Sequence, residues 1–97
     1  MNEIIIKLYG IIATDWGNKI IKIPIDEEED VINLISILKK VEMTIGDTIW
    51  NHFDKDFTPK RGTLILINGI DFNVMEGLNT LLKENDEVSL IPTISGG

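Results

Sequence analysis

The chain closes on Ser95-Gly96-Gly97, directly after the apolar run Val88-Ser89-Leu90-Ile91-Pro92-Thr93-Ile94. A strand that runs into a bare diglycine presents one chemically addressable group, the α-carboxylate of Gly97. Glycine lacks a Cβ and can follow a narrow channel that side chains would block. Ser95, Gly96 and Gly97 therefore read as a reactive tail, with Gly96 and Ser95 threading a partner's channel. Two terminal glycines arise by accident in roughly one chain in 200. The tail gains weight only from the residues that precede it.

Other chemistry is sparse. There is no cysteine and one histidine, His52. Disulfides, thiolate metal sites and iron–sulfur ligation by this chain are excluded, and an all-protein zinc site would have to be built mostly from carboxylates. One histidine and no cysteine give little from which to assemble a nucleophile, base and orienting group, and paired carboxylates stay open as an alternative. His52, beside Trp50 and Phe53, reads as a packing or exposed residue rather than a catalytic one. Asp54 and Asp56 alternate with Lys55, and a cation site there would be weak and unsupported. No glycine-rich spacing ending in Gly-Lys is present to cradle a phosphate. No cofactor or metal is expected on this chain, and it is not expected to be an enzyme.

Composition bounds the rest. Ninety-seven residues with 43% hydrophobic content make one domain with a real core. The net charge is −7 and the only arginine is Arg61, which disfavours direct binding to nucleic acid or to an anionic membrane. Trp16 and Trp50 lack the basic neighbours that base stacking would need. The acidic balance suits a basic protein partner, although solubility is the plainer reading. No apolar run approaches the roughly 18 residues of a membrane span. The N-terminus has no basic segment of the kind that opens a signal peptide, so a cytoplasmic location is expected.

The tail must be positioned by secondary structure. Residues 3–9 read as a strand, 10–17 as a loop and 18–25 as a second strand ended by Pro24. Asp26-Glu27-Glu28-Glu29-Asp30 reads as a helix start, because carboxylates complement the positive end of a helix. The helix is expected over 30–41, burying Val31, Leu34, Ile35 and Leu38, with Lys39 and Lys40 in its last turn. In segment 42–62, Asp47 is expected to cap a short helix on which Trp50 and Phe53 share a face. Residues 63–67 form a strand, Asn68-Gly69 a hairpin turn, 70–72 a short strand, and 87–91 the last strand. Leu78, Leu81 and Leu82 suggest a helical turn or an ordered loop. One helix covering one face of a mixed sheet, with first and last strands parallel at its centre, is the β-grasp arrangement.

At this point the sequence resembles the small sulfur carriers and protein modifiers of the ubiquitin fold. These include the carriers for molybdopterin and thiamine synthesis, the ubiquitin-related modifier and the small archaeal modifier proteins. Pro59-x-x-Gly62-Thr63-Leu64-Ile65-Leu66-Ile67-Asn68-Gly69-Ile70-Asp71-Phe72 and Leu78 through Asp86-Glu87-Val88 resemble the ubiquitin-related modifier. Ile91-Pro92 and Ile94-Ser95-Gly96-Gly97 are closer to the molybdopterin carrier and the archaeal modifiers. Two departures stand out. Ser95 replaces the modifier's histidine, and no arginine follows Arg61 as it does in ubiquitin, which points to a sulfur-carrier type of activating enzyme. The resemblance implies an α+β, β-grasp domain over 1–94 with four to five strands, one main helix and a flexible tail over 95–97.

It also implies a function. An E1-like partner would hold ATP and Mg²⁺, adenylate Gly97, and pass it to a sulfur donor as a thiocarboxylate for tRNA thiolation or cofactor synthesis. The same activated end could form isopeptide bonds with lysines of target proteins. Lys55 and Lys60 are candidates for self-conjugation, with solvated surface lysines as the default reading. The alternatives are the small subunit of molybdopterin synthase, bound to its large subunit, and a non-covalent ubiquitin-like interaction domain. With the second face of the sheet open, an apolar patch would remain to bind a partner. Leu66, Val88, Leu90, Ile91 and Ile94 are its candidates, and a register error of one residue would swap core and surface.

Overall fold

The computed structural model describes residues 2–26, 28 and 32–93. Five strands form one sheet: β1 (Glu3–Leu8), β2 (Ile20–Pro24), β3 (Thr63–Ile67), β4 (Ile70–Asp71) and β5 (Glu87–Pro92), in the order β2-β1-β5-β3-β4. β1 and β5 run parallel in the middle, with Ile5 opposite Glu87 and Leu8 opposite Leu90. The neighbouring pairs are antiparallel. The main helix, α2 (Leu34–Ile45), covers one face. This is the β-grasp fold expected from the sequence. Among the described residues, no helix is long and apolar enough to cross a membrane.

Strict alternation builds the core. Ile4, Ile6 and Leu8 of β1, Ile21 and Ile23 of β2, Ile65 and Ile67 of β3, and Val88 and Leu90 of β5 face α2. The helix answers with Leu34, Ile37, Leu38 and Val41, all fully buried. That stripe lies further along the chain than the sequence suggested. Ile35 is only half-buried, and Val31 falls outside the described residues.

The helix also begins later than expected, because a better cap is available. Asn33 is the N-cap: its side-chain oxygen accepts from the Ser36 amide at 3.0 Å, and Ser36 Oγ accepts from the Asn33 amide at 3.2 Å. This reciprocal pair satisfies donors that the acidic run was expected to satisfy. Of that run, Asp26 and Glu28 are described; Asp26 Oδ1 accepts from the Glu28 amide in a local turn, and Glu27, Glu29 and Asp30 lie outside the described residues. Lys39 and Lys40 sit mid-helix, since α2 continues to Ile45.

The segment read as a loop over 10–17 contains a short helix, α1 (Gly10–Trp16). Its seven residues carry too little periodic signal to stand out from a loop, and tertiary packing makes it a helix. Ile12 and Trp16 are buried. Trp16 stacks on Phe53 with centroids 6.3 Å apart, and its indole N–H donates to the Thr48 carbonyl at 3.1 Å. Beyond α2 the chain forms a 3₁₀ turn over Gly46–Asn51, with Asp47 inside it and no side-chain cap bond. Phe53 is fully buried, whereas Trp50 is half-buried against Phe57, so the two do not share a face. Segment 42–62 thus closes one end of the core.

The hairpin after β3 turns at Asn68 and Gly69, both at positive φ (50° and 84°), as the Asn-Gly pair predicts. Asn68 also ties this turn to the start of β5. Its amide nitrogen donates to Asp86 Oδ1 at 2.9 Å, and its oxygen accepts from the Glu87 amide at 2.9 Å. Buried Asp86 in turn accepts from the Lys83 amide at 2.9 Å.

Replacing Asn33 by Ala is expected to lower unfolding stability by about 1 kcal/mol, the usual loss of a helix cap. Asp26→Asn and Glu28→Gln should each change it by less than about 0.5 kcal/mol. Urea denaturation of the three variants checks the reassigned cap.

Candidate functional site: the tail root and the open sheet face

β5 leads directly to the tail, and the chain is described as far as Thr93. Gly97, Gly96, Ser95 and Ile94 lie outside the described residues, so the site is built from what holds the root. On one side, the Tyr9 amide donates to the Leu90 carbonyl at 3.2 Å. The next bond in that ladder would run from residue 92 to the Tyr9 carbonyl. Pro92 has no N–H, and the Tyr9 carbonyl instead accepts from the Ala13 amide of α1. The proline thus falls where β1 has already turned into a helix, and no ladder bond is lost.

Two glycines let other backbone close on the root. Gly10 has φ +54°, and a Cβ there would stand 2.9 Å from Pro92 Cγ. Gly62 has φ +90°, its carbonyl accepts from the Thr93 amide, and a Cβ there would stand 3.3 Å from the Thr93 carbonyl oxygen. Both backbone conformations are strained for residues with a side chain. Pro92 and Thr93 are therefore gripped from both flanks, which fixes the course of the chain as far as Thr93.

Beside the root lies the sheet face that no described element covers. It carries Ile5, Leu64, Leu66, Ser89 and Ile91, all half-buried. Across it, Leu64 faces Ile91 and Leu66 faces Ser89. Lys7 and Glu87 pair at 2.8 Å on the same face, with side chains 37% and 43% exposed. The hydrogen bond to Glu87, supported by its charge, holds the Lys7 ammonium above the ordinary lysine range. An exposed pair of this kind contributes little stability. It gives the apolar patch a polar border.

Two of the expected partner contacts are corrected. Val88 and Leu90 are 0% exposed and belong to the core. Their parity on β5 turns them toward α2, whereas Glu87, Ser89 and Ile91 face outward. Leu66 and Ile91 do lie on the open face. Ile5 and Leu64 were missed there, although the alternation of Glu87 and Ser89 with Val88 and Leu90 already indicates which parity faces out.

The remaining chemical candidates have structural roles. His52 Nε2 and Asp15 Oδ2 lie 2.8 Å apart, linking α1 to the end of the 3₁₀ turn. Asp56 Oδ1 accepts from the Thr58 amide at 3.0 Å, and this bond holds its carboxyl below the usual carboxylate range. Lys55 Nζ sits 4.5 Å from the Trp50 ring centroid. Among the described residues, no group of three or more His, Cys, Asp or Glu could hold a metal ion.

The sheet order and the single covering helix define a β-grasp protein. The sequence profile of the family described as Urm1 (Ubiquitin related modifier) matches residues 6–97, and the chain belongs to that family. A protein of Archaeoglobus fulgidus named for a sulfur-carrier role is 32% identical over 74 residues, covering 75% of this chain and 81% of its own. The solution structure of small archaeal modifier protein 1 (SAMP1) from Methanosarcina acetivorans superposes with TM-score 0.78 at 26% identity, covering 100% of this chain and 98% of its own. The crystal structure of the Amycolatopsis orientalis BexX/CysO complex contains a chain that superposes with TM-score 0.73 at 21% identity, covering 97% and 99% respectively. Members of this family are small ubiquitin-like carrier proteins rather than catalysts.

Gly62→Ala is expected to cost about 1–3 kcal/mol through its positive φ and to speed exchange of the Thr93 amide, read by hydrogen exchange. The Lys7 ammonium should titrate above 10.5, its ordinary value. Because that pKa is raised on folding, the pair's contribution is present at neutral pH and lost as pH rises through the raised value. NMR titration of Glu87→Gln should return Lys7 toward the ordinary value.

Proposed function

We propose that this chain is a sulfur carrier whose C-terminal carboxylate, on Gly97, is activated by an ATP-dependent E1-like enzyme. A carboxylate resists nucleophiles because resonance and charge oppose attack. Transfer of AMP from ATP to a Gly97 carboxylate oxygen releases pyrophosphate and gives an acyl-adenylate. Hydrosulfide then attacks the carbonyl carbon, the C–O bond to AMP breaks, and a thiocarboxylate remains. ATP, Mg²⁺ and the catalytic groups belong to the partner; this chain supplies the reacting carbon and its presentation.

The observation that carries the reading is the two-sided grip on Pro92 and Thr93, in a chain whose family match runs through residue 97. A root held in one direction lowers the entropy cost of inserting the tail into a partner's channel. The uncovered patch of Ile5, Leu64, Leu66 and Ile91 is the surface against which such a partner would seat. That a structural relative, CysO, is found in complex with BexX supports a carrier that works through a bound partner. The thiocarboxylate would serve tRNA thiolation or cofactor synthesis, the latter including the role of molybdopterin synthase small subunit.

A second outcome uses the same activated carbon. A lysine amine attacking the acyl-adenylate, or a thioester derived from it, would give an isopeptide bond. The modifier names of the family and of its archaeal relative favour keeping this reading.

The test is incubation with a candidate activating enzyme, ATP and sulfide, followed by intact-mass measurement. The expected product has gained the difference between one sulfur and one oxygen. Deleting Gly97, or replacing Gly96 by Val, should abolish that gain while leaving the unfolding midpoint unchanged. A thiocarboxylate formed on either variant would refute the assignment. Adducts to other proteins would instead report the modifier chemistry.

A further inference from the structure

The carrier chemistry proposed above uses the tail and the open face; it leaves the Asn68-Gly69 turn, beside the start of β5, unused. Of the chain's asparagines, only Asn68 precedes a glycine. That dipeptide is the one most open to deamidation. The backbone nitrogen of a glycine has no Cβ beside it and is the least hindered attacker of the preceding asparagine's Cγ. Both residues are exposed, and a Cβ built on Gly69 would meet nothing within 4 Å. Packing therefore does not shield this turn.

Hydrogen bonding does. The Asn68 backbone amide donates to the Glu87 carbonyl at 2.8 Å. Its side-chain oxygen accepts from the Glu87 amide at 2.9 Å, and its side-chain nitrogen donates to Asp86 Oδ1 at 2.9 Å. Both ends of the side-chain amide are thus tied to the start of β5, which keeps Cγ from swinging onto the Gly69 nitrogen. Asp86 is buried, and its other carboxylate oxygen accepts from the Lys83 amide at 2.9 Å. Its carbonyl accepts from the Ile5 amide of β1 at 3.0 Å. The latch is therefore anchored in the central pair of strands.

We propose that Asn68 is a latched deamidation site: it reacts only when the start of β5 has let go, and its product keeps the latch from closing again. In the first step the Gly69 nitrogen gives up its proton and bonds to Asn68 Cγ. The Cγ–Nδ2 bond breaks, and ammonia leaves with that proton, giving a cyclic imide. Water then opens the ring at either carbonyl, giving aspartate or isoaspartate. Water is the only co-reactant. Either product loses the donor that Asp86 requires. A carboxylate only accepts, and here it would face Asp86 Oδ1, a second acceptor of like charge. Isoaspartate also lengthens the main chain by one methylene within a two-residue turn. An opening that ends in reaction is therefore kept as a permanent mark of age on the chain.

The test incubates the full chain and a blocked peptide of residues 66–71 in mildly alkaline buffer. Both are followed by mass and by chromatographic separation of the two products. The chain should exchange NH for O at Asn68 about tenfold or more slowly than the peptide, since only the opened fraction reacts. Asp86→Asn should speed the reaction severalfold. Gly62→Ala, which weakens the fold at the opposite end of β5, should leave the rate unchanged. Asn68→Asp should lower the urea midpoint. Combining it with Asp86→Asn exchanges donor and acceptor and should recover most of that loss. A chain that reacts as fast as the peptide, or equal acceleration by Gly62→Ala and Asp86→Asn, would overturn the proposal. So would an unreacted Asn68 in the Asp86→Asn chain after the peptide has converted, or an Asn68→Asp midpoint equal to the parent's.

Discussion

The parallel ladder between β1 and β5 is the constraint on which the rest of the structure depends. It joins the first strand to the last, so every other element must pack around a centre made from both ends of the chain. β5 is bonded on both edges, to β1 through its even residues and to β3 through its odd ones. That double attachment fixes side-chain parity along β5. Val88 and Leu90 must then be core, and Ile91 must be surface. The same attachment is why the segment leading to the tail starts from the best-held strand of the sheet rather than from a frayed edge.

Much of this architecture was legible in the sequence because its signals were local and redundant. Continuous apolar runs marked β1 and β3, Asn68-Gly69 marked a turn, and one amphipathic helix had to cover one face. What failed had physical reasons. The acidic run at 26–30 looks like a helix start on charge alone, but Asn33 and Ser36 can satisfy two backbone donors reciprocally, and that geometry sets where α2 begins. α1 is too short to show a period, and it exists because Ile12 is buried in the core and Trp16 meets Thr48 and Phe53. No window of local sequence contains that information.

The site was legible in a different way. The diglycine is a chemical signal and needs no fold to be noticed. Its root is conformational. Gly10 and Gly62 lie 52 residues apart in sequence and meet the chain within two residues of each other, at Pro92 and Thr93. Gly62 stood in the motif that resembles the modifier and Gly10 in an ordinary loop, but nothing local paired them, because what singles them out is the chain they close on. The interface residues sat between these cases. Alternation on β5 carried the answer, but only once β5 was known to be covered on one face.

The span of the central ladder also orders events during synthesis. Ile5 cannot find Glu87 until almost the whole domain has left the ribosome. Until then, Ile4, Ile6 and Leu8 can pair only with β2, and half of the strand they need is missing. A nascent chain that stalls before β5 emerges would show apolar strand to chaperones and proteases. A chain whose Pro92 and Thr93 are gripped has already passed that inspection, so the grip doubles as a certificate of completed folding.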